Sequence, residues 1–222
     1  MTESEAINWL ESQMGVSRET MESLERFVAF LKREAESQNL ISSSTLEQIW
    51  ARHIVDSAQL LQFVGRQPKI TNWLDLGSGA GFPGLIIAML SDFPVTLVES
   101  RARRVDYLQR AVEMLDLTAR VRVAGVTLEK LETVPFSVIS ARAFAPLPKL
   151  FELAARFATN NTLWLLPKGR NAVHELEETQ MTWDGNFQVM NSITDPEAGI
   201  LVGTLSGHRQ QKLVSGTQGQ KR

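Results

Sequence analysis

The ten residues Asp75-Leu76-Gly77-Ser78-Gly79-Ala80-Gly81-Phe82-Pro83-Gly84 constrain this chain more than any others. They follow a short apolar run and precede a helix-like one, the setting of a ligand-cradling turn between a strand and a helix. Glycine serves such a turn because it accepts positive φ and lets a ligand approach the backbone closely. Gly79 to Gly84 fits the G-x-G-x-x-G dinucleotide pattern, and Glu99 follows about 20 residues later, near the place of a ribose-binding acid.

Two neighbours favour a different ligand. Asp75 puts a carboxylate at the mouth of the turn, which would repel a pyrophosphate and attract an amino group or a sulfonium. Pro83 sits near the first helical position, where proline is tolerated but removes an N–H that a phosphate would use. The turn therefore reads as an S-adenosylmethionine site, with a dinucleotide site and a ligand-free structural turn as the alternatives.

From about residue 70, short apolar runs alternate with helical stretches, the pattern of a parallel sheet covered on both faces. Candidate strands are 71–76, 94–98, 120–124, 136–141, 161–166, 187–193 and 199–205. The last two are too close for a crossover helix and predict an antiparallel hairpin, as at the end of class I S-adenosylmethionine-dependent methyltransferases. The expected fold is α/β, Rossmann-like, with a mostly parallel seven-stranded sheet. Before it, helices are expected at about 7–10 and at 17–38 with Ser17 as cap. A third is expected from a capping box at Ser44-Thr45-Leu46-Glu47, with Leu46, Ile49, Trp50, His53, Ile54, Ser57, Leu60 and Leu61 on one face. The expected organisation is a helical cap over 1–66, a cofactor-binding domain over 67–206 and a flexible polar tail over 207–222.

The chain has 222 residues and no cysteine. That excludes disulfides, thiolate metal sites, iron–sulfur radical chemistry and a cysteine nucleophile for pyrimidine C5 methylation. With no apolar run near membrane length and no leader-like N-terminus, a cytoplasmic protein without membrane contact is expected. The net charge of −2 is not that of a typical nucleic-acid binder. Its distribution is uneven, because residues 1–38 hold eight acids against four basic residues while 101–122 hold six arginines. Arg101, Arg103 and Arg104 open a helix at the end where the macrodipole disfavours cations. They read either as a phosphate-contacting patch or as a solvated face.

In a doubly wound sheet the ligand lies beyond the carboxyl ends of the strands. Asp75, Gly77, Gly79 and Gly81 follow the first run and Glu99 the second, where it can accept both ribose hydroxyls or cap a helix. Arg142 follows the fourth run and Lys168 the fifth, so two cations share one rim. His53 lies on the apolar face of its helix and reads as a core histidine, while Arg52 and Asp56 can pair across one turn. No Asn/Asp-Pro-Pro-aromatic sequence follows the fourth run, which argues against an exocyclic amine as methyl acceptor. A ring nitrogen with a free lone pair, such as guanine N7, needs no general base and only in-line placement.

Together these pieces resemble a known family, the bacterial 16S rRNA guanine-N7 methyltransferases, also called glucose-inhibited division protein B. The matching segments are Asn39-Leu40-Ile41-Ser42, Arg52-His53-Ile54-Val55-Asp56-Ser57, the glycine turn, Glu99-Ser100 with Arg103-Arg104, Ser140-Ala141-Arg142-Ala143-Phe144-Ala145 and Leu166-Pro167-Lys168-Gly169. The resemblance implies methyl transfer from S-adenosylmethionine to N7 of one guanine in the decoding-region loop of 16S rRNA, within the 30S subunit, by a cytoplasmic protein; a monomer is expected. It implies cofactor contacts at Gly77, Phe82, Glu99, Thr127, Leu128 and Arg142, with Arg142 and Lys168 also near the guanine and no catalytic acid or base. The chain departs from the family pattern at Val126-Thr127-Leu128-Glu129 and at Ala198-Gly199-Ile200-Leu201. The competing functions are a small-molecule methyltransferase, a nicotinamide-dependent oxidoreductase and a non-catalytic ribosome-assembly factor.

Overall fold

A computed structural model of the chain describes residues 1–65 and 71–209. Seven strands form one sheet: β1 (Trp73–Leu76), β2 (Val95–Val98), β3 (Val121–Ala124), β4 (Val138–Ala141), β5 (Leu163–Lys168), β6 (Trp183–Asn191) and β7 (Gly199–His208). Their order is β3-β2-β1-β4-β5-β7-β6. β1 to β5 run parallel, and β7 is antiparallel to both β5 and β6. The expected hairpin is present, although its first strand begins at Trp183 and its second continues to His208, past the expected start of the tail at 207. His208 stacks on Trp183 at 3.8 Å, which holds that end of the strand. The rest of the expected tail, and the expected boundary at 66–67, fall at or beyond the limits of the described residues.

β1 is buried along its whole length, as a strand covered on both faces must be. Successive side chains point to opposite faces. Trp73 therefore joins a core with α4 (Gly84–Leu90) and α5 (Ala102–Met114), whereas Leu74 and Leu76 join a second core with α6 (Leu147–Ala154) and α7 (Ala172–Thr179).

The N-terminal helices extend the first core. α1 (Glu3–Ser12) carries a capping box between Thr2 and Glu5. α2 (Arg18–Ala35) starts at the expected cap, Ser17, and buries Met21, Leu24, Phe27, Val28, Phe30 and Leu31. The third helix differs from expectation. It is a chain of short turns: 3₁₀ over Ser43–Gln48, π over Trp50–Val55, α3 (Asp56–Ala58) and 3₁₀ over Gln59–Phe63. No capping box forms at Ser44–Glu47; Thr45 instead bonds the Ser42 carbonyl and His53.

The free N–H groups of that irregular helix are met from another element. Glu3 accepts hydrogen bonds from the Trp50 N–H at 3.1 Å and the Ala51 N–H at 2.9 Å. Charge-assisted bonds of this kind satisfy donors that would be costly to bury unpaired. Glu3→Ala is expected to lower unfolding free energy by about 1–3 kcal/mol, whereas Glu11→Ala, at an exposed position of α1, leaves the urea midpoint in place.

Candidate active site

The sheet order reverses between β1 and β4, so the carboxyl ends of these strands open a crevice. Gly77, at the start of the glycine turn, lines its wall. Gly77, Gly79 and Gly81 have φ of 68°, 55° and 95°, which explains why this stretch needs residues without a side chain. Asp75, however, does not face the crevice. It is fully buried; Ser140 Oγ donates to it at 2.7 Å and the Gly84 N–H at 3.2 Å. Burial raises its pKa, opposed by hydrogen bonds from Ser78, Ser140 and Gly84. The sequence reading puts this carboxylate at the ligand; in the structure it bonds Ser140 and Gly84 beneath the turn and lines neither of the two cavities along the crevice.

Two cavities lie along the crevice. The smaller, about 320 Å³, is lined by Gly77, Glu99, Arg104, Val126, Thr127 and Leu128 among others. One Glu99 oxygen accepts the N–H groups of Ser100 at 2.8 Å and Arg101 at 2.9 Å, so the helix-capping alternative holds for that oxygen. The other lies 3.7 Å from Arg104 at the cavity wall. Arg104 also donates to the Asn39 carbonyl at 3.0 Å, which ties the start of α5 to the cap and offsets its unfavourable place at a helix N-terminus. Arg101 and Arg103 beside it are exposed.

The larger cavity, about 590 Å³, brings Arg142 and Lys168 together with Arg52, His53 and Asp56 from the cap and with Ser192, Thr194, Asp195 and Glu197 from the turn of the hairpin. Arg52 and Asp56 do not pair with each other as expected. Arg52 binds Asp195 at 2.8 Å, and Asp56 lies 3.5 Å from Arg142 while accepting from Thr194 and Gln59. Arg142 donates to His53 Nδ1 at 3.0 Å. Arginine has no lone pair to offer, so Nδ1 is the acceptor and Nε2 carries the proton, directed at Thr45 Oγ1 2.9 Å away. Burial, then the charges of Arg142 and Arg52, pull the His53 pKa down to about 3. His53 stacks on Phe82 at 4.9 Å and Arg142 lies over the same ring at 5.1 Å. Phe82 is thus buried under His53 and Arg142, and neither it nor Gly79 lines either cavity.

Two residues were missed by sequence reasoning. Glu175, in the first turn of α7, accepts from Lys168 Nζ at 2.8 Å and from the Leu147 N–H at 2.6 Å with one oxygen. It thereby locks the end of β5 to the segment after β4, a contact that spacing along the chain does not reveal. Phe144 was quoted only as part of a motif, yet with Ala143 it lines both cavities. Among the described residues there is no cluster of three or more side chains suited to a metal ion, and no helix is long and apolar enough to cross a membrane.

A parallel sheet that ends in an antiparallel hairpin, with a glycine turn and an acid after β2 beside one cavity, defines a class I methyltransferase. Solved structures agree on the fold: a putative O-methyltransferase from Klebsiella pneumoniae matches with TM-score 0.58 at 14% identity over 89% of this chain and 94% of that one. A mutant of MtNAS in complex with S-adenosylmethionine matches with TM-score 0.55 at 15% identity, over 82% and 74% of the two chains. The sequence narrows the class to one family. The family model described as rRNA small subunit methyltransferase G matches residues 20–197. The ribosomal RNA small subunit methyltransferase G of Zymomonas mobilis is 50% identical over 96% of this chain and 98% of its own, and that of Rhizorhabdus wittichii is 55% identical over 91% and 92%. The chain belongs to the rRNA small subunit methyltransferase G family.

The depressed His53 pKa has a pH signature. The folded state takes up the imidazole proton only near about 3, against an ordinary 6.5. The resulting stability is complete above the unfolded value and is lost as pH falls towards the folded one. Between about pH 7 and pH 5 this amounts to on the order of 2 kcal/mol. His53→Gln, which keeps an acceptor for Arg142, is expected to flatten the urea-midpoint profile over that range relative to wild type. The Glu175 contact predicts a double-mutant cycle: Glu175→Ala lowers kcat/KM for RNA, about tenfold for a lost charged partner, but adds little in a Lys168→Ala background.

Proposed function

We propose that the protein transfers the methyl group of S-adenosylmethionine to N7 of a guanine in 16S rRNA, acting as a monomer on the 30S subunit in the cytoplasm. The observation that carries this reading is the arrangement of two cavities that share Ala143 and Phe144, the smaller of which reaches Gly77 of the glycine turn. The nucleoside-sized one carries a carboxylate, and the larger one has a cationic rim. Membership of the family supports the RNA as substrate, and the residues of each cavity suit the two reactants.

The smaller cavity fits the donor on its chemistry. Glu99 can accept ribose hydroxyls with the oxygen that faces Arg104, while Val126 and Leu128 offer an apolar wall for adenine and Thr127 lies between them. Gly77 brings its backbone to the same wall. When bound, the donor supplies an electrophilic methyl on a sulfonium. Asp75 and the Phe82 side chain serve the turn from behind, so their part in binding is to hold its shape.

Guanine N7 already carries the lone pair that attacks carbon, so the chain's task is to align rather than to remove a proton. Arg142 and Lys168, each held by a carboxylate, stand on the wall of the larger cavity. There they can hold phosphate or the O6 edge of the base while its N7 is directed at the glycine turn. Exposed Arg101, on the wall of the smaller cavity, and exposed Arg103 beyond it suit the flanking RNA backbone.

Calorimetric titration is expected to show binding of S-adenosylmethionine and none of NAD, with Glu99→Gln weakening the donor about tenfold. Single-turnover incubation with unmethylated 30S subunits is expected to create one guanine in 16S rRNA that borohydride and aniline cleave. NAD binding in place of the donor, or 16S rRNA without a new cleavage site, would refute the reading.

A further inference from the structure

We propose that Phe144 positions both reactants: its ring moves off Gly77 to admit the methyl donor and then forms the face against which the target base lies. This inference rests on the donor and base assignments made above.

Ala143 and Phe144 are the residues common to the linings of both cavities. The Phe144 ring rests on the α-carbon of Gly77, so closely that a β-carbon there would lie 2.6 Å from ring atom Cδ2. Gly77 opens the turn, and the ring covers it where the cavity of Glu99 gives way to the cavity of Arg142. A methyl donor whose ribose lies at Glu99 must reach across this spot to present its methyl to a base in the larger cavity. The ring stands in that path.

Phe144 lies in a short strained segment with fixed ends. Ala143 is exposed and has φ of 53°, in the left-handed region that alanine rarely adopts. On one side Arg142 is tethered to His53 and Asp56, and on the other the Leu147 N–H is tethered to Glu175. Rearrangement is thereby confined to the few residues around Phe144, and the cations that hold RNA stay in place.

An aromatic ring at this junction also suits the chemistry. Attack by N7 turns a neutral purine into a cation as the sulfonium loses its charge; the new N–C bond forms while the S–C bond breaks and its electron pair stays on sulfur. A ring face attracts that developing positive charge more than it attracts the neutral base, so contact helps the transition state selectively. A purine also lies readily on an aromatic face.

The test compares Phe144→Ala, Phe144→Leu and Phe144→Tyr in the full chain, with melting temperature as a check on folding. Removing the ring is expected to leave S-adenosylmethionine affinity unchanged or higher and to speed donor association in stopped flow. The same change is expected to lower kcat for 30S methylation about tenfold. Leucine behaves like alanine, and tyrosine restores most of the rate. The opposite signs matter, because a ring that merely supports the fold would slow both steps. Full methylation by Phe144→Leu, or donor binding weakened in step with methylation at an unchanged melting temperature, overturns the proposal. Failure of the wild type itself to bind S-adenosylmethionine would instead bring down the assignments beneath it.

Discussion

The site depends on one buried carboxylate. Asp75 receives hydrogen bonds from Ser140 on β4 and from the first N–H of α4, so a single side chain fixes the two central strands and the helix that leaves the turn. Taking a carboxylate out of water is costly, which is why its pKa rises, and the cost is tolerable because its partners replace the lost hydration. Ser140 in turn accepts from the Trp73 indole at 2.8 Å, extending the chain of bonds into the core. Gly84 completes the arrangement, since a β-carbon there would meet both Asp75 and Leu97. The open crevice above these bonds is therefore supported from within the sheet.

The N-terminal helices are part of the same construction. They share a hydrophobic core with β1 and α4, and they supply Arg52, His53 and Asp56 to the larger cavity. Ion pairs reinforce the join at its edge: Glu34 on α2 grips Arg110 on α5 through two bonds of 2.7 and 2.8 Å. A core shared in this way couples the shape of the larger cavity to helices that lie outside the sheet. His53 shows the consequence, because its neutrality is what lets Arg142 keep a partner while its charge stays directed at the cavity.

Strand positions could be read along the chain because each buried parallel strand is a short apolar run, a local property that survives in sequence. The helix at 43–63 could not be read with the same accuracy. Its apolar spacing signals a buried face, and Ile49, His53, Ile54, Ser57 and Leu60 are indeed buried. The winding itself is met by a distant partner, Glu3, whose carboxylate takes up the Trp50 and Ala51 N–H groups that a regular α register would have bonded internally. Asp75 was found for the right reason of type and position, yet its orientation is a tertiary fact: a carboxylate beside a ligand turn can face the ligand or the floor with equal local plausibility.

The chain alone determined the strand–turn–helix with its three left-handed glycines, the alternating pattern of a doubly wound sheet, the closing hairpin and the exclusion of thiol chemistry. These follow from neighbours along the backbone and from residue types. Tertiary structure decided which charges meet: Arg142 with His53 and Asp56, Arg52 with Asp195, and Lys168 with Glu175. It also placed Phe144 between the two cavities. Such pairings depend on where separate loops converge at one end of the sheet, and short-range spacing carries no record of that convergence.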